Sequence, residues 1–364
     1  MRVAIIHDVF IEFGGAERVL LALLDVYPTA DVYIPLLRKN HRLELRRHTK
    51  GRIISSWLNN IPLVHSASIL LKPLLYLYWE QLNLNEYDLV ISSSHSFSSK
   101  SVITSPHTLH VSYIHTPPRY LYTEFNETRI LKRPFFRILL SPLLSWLRVR
   151  DFIGAQRPDI LIANSKTVQA RIKKYYRRDS VVIYPPVRIP NKLPKRNPQY
   201  FVCVSRLARQ KGIDLAIKVC NQRKERLVIV GEGAQEVYLR SIAGPTIEFW
   251  GRVPDEKMSR VWAGAKALIY PSIEEDFGIV PVEAMAHGAP VIAHDSGALR
   301  ESVIDGKTGV FFNTHTKESL VQAINILAKI SLSASQISKH ARLFSENTFT
   351  HSIKRLVQSR IDSL

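Results

Sequence analysis

Between Tyr270 and Glu301 the chain changes its hydrophobic rhythm several times, and prolines and glycines mark the changes. Ala267-Leu268-Ile269-Tyr270 is a short apolar run of the kind that forms a buried strand, and Pro271 ends it. Three acids, Glu274-Glu275-Asp276, then meet Phe277-Gly278, where glycine permits a backbone geometry and a close approach that other residues resist. A helix is expected next. Pro281 suits its first turn, where a missing N–H costs little, Gly288 suits its C-terminal stop, and Pro290 opens the strand PVIAHD. A strand, loop, helix and strand packed into so short a span commit this half of the chain to an α/β sheet with a ligand site at a strand end.

Glu275 lies in the loop before the helix and Glu283 about a turn inside it, so both can face one crevice. The helix N-terminus between them offers unpaired N–H groups and the positive end of a dipole, suited to phosphate oxygens and sugar hydroxyls. Carboxylates accept from hydroxyls, so two of them along a groove can hold a sugar and a ribose separately. The plainer alternative is a solvated acidic loop followed by a surface helix.

Glu-x7-Glu followed by Ala-Met-Ala-x-Gly-x-Pro-Val-Ile resembles the signature of the family 4 retaining glycosyltransferases. The resemblance extends over nearly the whole chain. It implies the GT-B fold: two Rossmann-like, doubly wound α/β domains facing a central cleft. It also implies that Glu275 contacts donor-sugar hydroxyls, that Glu283 contacts the nucleotide ribose, and that the backbone of Phe277, Gly278 and Ile279 meets the sugar or phosphate. Asp276 stands where many members carry glycine.

The N-terminal half begins with the apolar strand Val3 to Ile6, too short a run for a signal peptide, and leads through Phe13-Gly14-Gly15 into an amphipathic helix. Glycines between a first strand and first helix are either a tight turn or a phosphate cradle. The resemblance places Gly14 and Gly15 near the donor diphosphate. Strands are expected at Asp88 to Ser92, Leu109 to His115 and Pro158 to Ser165, with Ser165 capping the helix after it. The phrase YIHTPPRY resembles the His-x-Pro segment of the same family, more narrowly its bacterial mannosyltransferases of polysaccharide and lipopolysaccharide assembly. That likeness assigns His115 to the donor sugar and acceptor.

Two basic stretches have competing explanations. Arg38 to Arg52 is read as a loop, solvated or facing a membrane. Lys132 to Arg150 sets cations around a strongly apolar centre, a composition that suits a helix in the headgroup layer or one buried against a sheet. Ile61 to Trp79 is the longest apolar run, and Pro62, Lys72 and Pro73 argue against its crossing a bilayer.

A proline-rich basic run, 185–199, is read as the linker between an acceptor-binding domain, 1–184, and a nucleotide-sugar-binding domain, 200–345. Residues 346–364 are expected as a helix returning to the first domain. Within the second domain, Ser-Arg-Leu-x-x-x-Lys-Gly, holding Arg206 and Lys211, resembles the family's diphosphate-binding loop. Arginine can fork two phosphate oxygens while lysine adds a mobile point charge. The resemblance puts the nucleotide base at Gly251 to Pro254, hence Arg252 and Val253. The catalytic set it implies is His115, Arg206, Lys211 and Glu275, working by a front-face mechanism through an ion-pair-like transition state.

The net charge of +19 points to an anionic partner. No zinc finger, aromatic RNA-binding motif or helix-turn-helix is legible, so no nucleic acid partner is expected. No Asp-x-Asp or metal-spaced histidine cluster is legible either, so no metal or cofactor is expected. Cys203 and Cys220 are expected as isolated buried thiols. The expectation is therefore a transferase that moves mannose from GDP-mannose to a lipid-linked or polysaccharide acceptor. It would work in the cytoplasm, against the anionic inner face of the plasma membrane. The alternatives are a transferase using UDP-glucose or UDP-N-acetylglucosamine, a GT-B phosphorylase or epimerase, a nucleic-acid-binding protein, and an inactive membrane scaffold.

Overall fold

The computed structural model describes residues 1–60, 72–95, 98–123 and 133–362. Most of the apolar run from Ile61 and Lys132 at the head of the second basic stretch lie outside them. The chain forms two units: the first takes residues up to Pro185 and again from Phe349, and the second takes Pro186–Thr348.

The first unit is built on seven strands: β1 Val3–His7, β2 Asp31–Tyr33, β3 Ile53–Ile54, β4 Leu89–Ser94, β5 Leu109–Ile114, β6 Ile160–Ala163 and β7 Val181–Val182. Their order is β3-β2-β1-β4-β5-β6-β7, with every pairing parallel. β1, β4 and β5 are buried along their whole length, which explains why they read as unbroken rather than alternating runs. The helix Gly15–Val26 packs Val19, Leu20, Leu23 and Leu24 into the core that holds Ile5, Ile91 and Val111. The helix Glu346–Ile361 lays Phe349, Ile353 and Val357 into that same core.

The second unit has six strands: β8 Tyr200–Val204, β9 Leu227–Val230, β10 Ile247–Gly251, β11 Ala265–Tyr270, β12 Val291–His294 and β13 Gly309–Phe312, in the order β10-β9-β8-β11-β12-β13. All pairings are again parallel. Two doubly wound parallel sheets are the architecture that the resemblance implied.

Three expectations change. Arg38 to Arg52 is not a loop: Lys39–His48 is a helix that buries Leu45 and ties Arg42 to the Ile53 carbonyl. The stretch from Lys132 is two helices, Pro134–Leu139 and Ser141–Gly154. The 185–199 run, read as a linker, packs on the second unit. Val187 N–H donates to the Phe344 carbonyl, and Arg196 reaches the Gly288 and Ala265 carbonyls. Cys203 and Cys220 are buried and unpaired. No single helix among the described residues is long and apolar enough to cross a membrane.

Candidate active site

Because the second sheet is parallel throughout, the carboxyl ends of β8, β9, β10 and β11 lie at one end of it, and so do the loops that leave them. The loop after β8 is pinned by the fully buried Leu207, whose N–H donates to the Glu232 carbonyl and whose carbonyl accepts from Gln235 N–H. A Cβ on Gly231 would fall 1.9 Å from the Ser205 carbonyl oxygen, so only glycine lets the β9 loop come this near. The β8 loop ends in a short turn, Arg209–Lys211, and Gly212 opens the helix Ile213–Arg223.

That turn carries Lys211 to the loop after β11. Its Nζ donates to both Glu275 carboxylate oxygens, at 2.6 and 2.9 Å, and the Ser272 hydroxyl donates to one of them at 3.0 Å. Both charged side chains are more than four-fifths buried, so each is the other's compensation for lost water. Lys211 is thus held by Glu275, where the sequence suggested a mobile charge. Burial and the neighbouring Glu275 charge push the Tyr270 phenol well above its usual range.

The Glu275 backbone is fixed as firmly as its side chain. Its carbonyl accepts from Ala298 N–H, and a Cβ on Gly297 would come within 2.5 Å of that oxygen. Phe277 is buried against Phe344, and Gly278, at φ 83°, turns the chain into the helix Ile279–Ala286. The first N–H groups of that helix have no intrahelical acceptor. Glu283 is half-buried one turn in, and Arg206 is exposed on the β8 loop. Arg252, exposed, and Val253, half-buried, follow β10, and Gly231 N–H donates to the Gly251 carbonyl to join that loop to β9's. The structure therefore brings Lys211 and Glu275 into contact, sets Arg206 and Phe277 to Ile279 on the same two loops, and leaves Arg252 and Val253 on another.

The first sheet places a second constellation at the carboxyl ends of its strands. Gly14 and Gly15 are exposed at the start of the first helix, and Gly14 N–H donates to Glu17 Oε2 at 2.8 Å. Glu17 Oε1 lies 3.6 Å from Nε2 of His7, the last residue of β1. Nδ1 of His7 meets the Ser93 hydroxyl at 3.0 Å, and that hydroxyl meets Nε2 of His115 at 2.9 Å. The register makes this path, because His7 is paired with Ser93 and Ser94 with Ile114, the residue before His115. Asp8 secures the next turn by accepting from the His95 and Ser99 N–H groups.

Burial alone would raise the Glu17 carboxyl, but hydrogen bonding and charge from His7, with help from His95, outweigh it and hold it at about 2. Burial pushes His115 down to about 3 and lowers His95 as well. One ligand atom each from His7, Glu17 and His95 lies within 4.8 Å of the others, a spacing that a divalent ion could span. His7, Glu17, Ser93 and His95 were not singled out from the sequence. The available signals were a polar residue closing an apolar strand at His7 and a carboxylate three residues past Gly14.

Two family descriptions match the chain in succession: "Glycosyltransferase Family 4" over residues 13–189 and "Glycosyl transferases group 1" over residues 188–344. A glycogen synthase of Thermus thermophilus is 36% identical over 135 residues, covering 35% of this chain and 31% of that protein. An uncharacterized 41.2 kDa protein in the cps region of Klebsiella pneumoniae is 31% identical over 125 residues, 34% of this chain and 35% of that protein. The chain thus spans about a third of the length of the curated relatives it matches. Among solved structures, Anabaena HepE in complex with UDP-glucose superposes with a TM-score of 0.73 at 21% identity, covering 99% of this chain and 100% of that one. A lipopolysaccharide outer core galactosyltransferase, WaaB, gives 0.71 at 18% identity with the same coverage.

Proposed function

The chain belongs to the family 4 glycosyltransferases and has their GT-B fold, and from that premise we propose that it transfers a hexose from a nucleoside diphosphate sugar to an acceptor hydroxyl with retention of the α configuration. The observation that carries this reading is the Lys211–Glu275 pair at the strand ends of the second sheet. As the glycosidic bond breaks, negative charge grows on the departing diphosphate, and stabilising it is the largest electrostatic demand. Lys211 meets that demand by exchanging a carboxylate oxygen for a phosphate oxygen, and Arg206 by forking two phosphate oxygens. Glu275, relieved of part of its ion pair, accepts from donor-sugar hydroxyls, while Glu283 takes the ribose. The N–H groups from Phe277 to Ile279 meet the sugar or phosphate, Gly14 and Gly15 approach the diphosphate, and Arg252 and Val253 flank the base. His115 is proposed to serve the donor sugar and acceptor. The transfer is proposed to need no metal or cofactor.

The YIHTPPRY phrase supports GDP-mannose as donor. UDP-glucose is the second reading, because a solved relative of this fold holds it. The acceptor is proposed as lipid-linked or polysaccharide, met at the cytoplasmic membrane face, without nucleic acid. Supporting this, Phe135, Ile138, Leu139 and Val149 are all more than half exposed on the helices that follow Arg133, where solvent alone would disfavour them.

Incubating the protein with labelled nucleotide sugars and membrane extract tests both halves of the proposal. Transfer from GDP-mannose is expected, selective use of UDP-glucose replaces the mannose reading, and no transfer from any donor overturns it. Lys211→Met is expected to lower kcat by about 10²-fold or more, the scale seen when a transition-state charge loses one partner. Full turnover by Glu275→Ala removes the site assignment.

A further inference from the structure

Three residues from three elements converge at the carboxyl edge of the first sheet: His7 closes β1, Glu17 stands in the first turn of the helix Gly15–Val26, and His95 follows β4. One ligand atom from each lies within 4.8 Å of the others, and no second group of histidine, cysteine and carboxylate side chains among the described residues has that spacing. His7 is wholly buried, yet its Nε2 has no hydrogen-bond partner, and Glu17 Oε1 stands 3.6 Å from it. A buried ring nitrogen left unsatisfied costs stability, and a bound ion is one of the few things that accounts for it. Ligand atoms held about 2.1 Å from a tetrahedral zinc lie about 3.3 Å from one another. The His7–Glu17 separation, too long for a hydrogen bond, is therefore close to that of two ligands on one ion. The outer contacts also fit. His7 Nδ1 meets the Ser93 hydroxyl at 3.0 Å, Glu17 Oε2 accepts from Gly14 N–H at 2.8 Å, and the Val9 backbone bonds the His95 ring, which are the contacts that orient metal ligands. Asp8, which accepts from the His95 and Ser99 N–H groups, adds a negative charge to that of Glu17 beside His95.

We propose that His7, Glu17 and His95 form a binding site for one divalent ion of the zinc type, with a fourth position left to water. Two imidazoles and a carboxylate select zinc, cobalt or nickel over magnesium and calcium, which take oxygen ligands. His95, half-buried, is the side from which an ion enters, and rotation of its ring closes the set around it. A seated ion ties the end of β1, the first helix and the turn after β4 to one another. Through Glu17 Oε2 it also stiffens the turn at Gly14. Its role is to hold the first unit together. It takes no part in the transfer, and the site does not depend on the transferase reading. Because the ligands stand at positions 7, 17 and 95, no local pattern of the sequence carries them.

The test is a titration of the full chain, untagged and stripped with a chelator, with zinc alone and with cobalt alone. One equivalent of zinc should bind and raise the melting temperature of the first unit, since an ion that binds only the folded state stabilises it. X-ray absorption of the zinc form should report two imidazoles, and cobalt should give the visible absorption of a four-coordinate site. Glu17→Gln and His95→Ala should each weaken binding more than about 100-fold, and Ser93→Ala, which removes the contact to His7 Nδ1, about 10- to 100-fold. His48→Gln, which alters a surface histidine beside Asp25 and Glu44, should leave binding unchanged. Circular dichroism shows whether each variant folds, and the two spectra of the unaltered protein decide the matter should one fail to. Absence of binding at one equivalent, a metal spectrum without imidazole, a site lost in His48→Gln but kept in folded Glu17→Gln, or displacement of zinc by an equal concentration of magnesium would each overturn the proposal. If zinc binds as expected yet no donor is turned over, the metal site stands and the transferase reading falls.

Discussion

Glu17 and His115 are displaced from their ordinary ranges in the same direction, one by its partners and the other by burial. The Glu17 carboxyl, held at about 2 against a usual 4.5, contributes stability that is complete above pH 4.5 and is lost as pH falls toward 2. The His115 ring, held at about 3 against 6.5, stays neutral in the fold while the unfolded chain takes up a proton, so stability is lost as pH falls from 6.5 toward 3. The signs agree, and calorimetry should find the melting temperature of the first unit falling with pH from about 6.5 downward. Glu17→Gln should flatten the part below pH 4.5, removing about 3 kcal/mol of pH-dependent stability. Single residues were the most legible level of this sequence. His115, Lys211 and Glu275 each stand in a recognisable phrase, but the bond between the last two joins positions 64 apart and only the folded sheet reveals it. The Ser93 bridge depends on the registers of three adjacent strands, information that no local pattern holds.

Elements were legible where glycine and proline punctuate them. Pro271, Gly278, Pro281 and Gly288 bound the strand–helix–strand of the site within a residue or two of where they were expected, since Ile279–Ala286 begins right after Gly278. Lys39–His48 was missed because its charge run conceals a helix anchored by one buried leucine. The prolines of 185–199 suggested a linker, and Arg196, by reaching two carbonyls, fastens the run to the second unit. The helices Pro134–Leu139 and Ser141–Gly154 divide their apolar residues between two faces. Leu144 and Leu147 are buried with Tyr76 and Tyr120, whereas Phe135 and Ile138 are about 70% exposed. Replacing Phe135 and Ile138 together by aspartate should abolish flotation with anionic vesicles. It should also leave the melting temperature nearly unchanged, because neither side chain is in the core. Undiminished flotation would remove the membrane from the proposal.

At the scale of the whole molecule the chain leaves the first unit at Pro185 and rejoins it at Phe349. Burying Phe349, Ile353 and Val357 contributes about 6 kcal/mol to the first unit, taking roughly 2 kcal/mol for each large apolar side chain. A chain cut before Phe349 should therefore show a large fall in the first unit's melting temperature, while the second unit's transition persists, as two resolved calorimetric peaks would report. Equal losses in both transitions would mean that the helix supports more than the core it enters. The same connectivity fixes an order of events during synthesis. The ribosome releases β1 to β7 early, yet the side chains that complete their hydrophobic interior emerge only after some 160 further residues have been translated. For that interval the nascent chain carries a wet, incomplete interior, a site for chaperones and a reason for slow elongation to be hazardous.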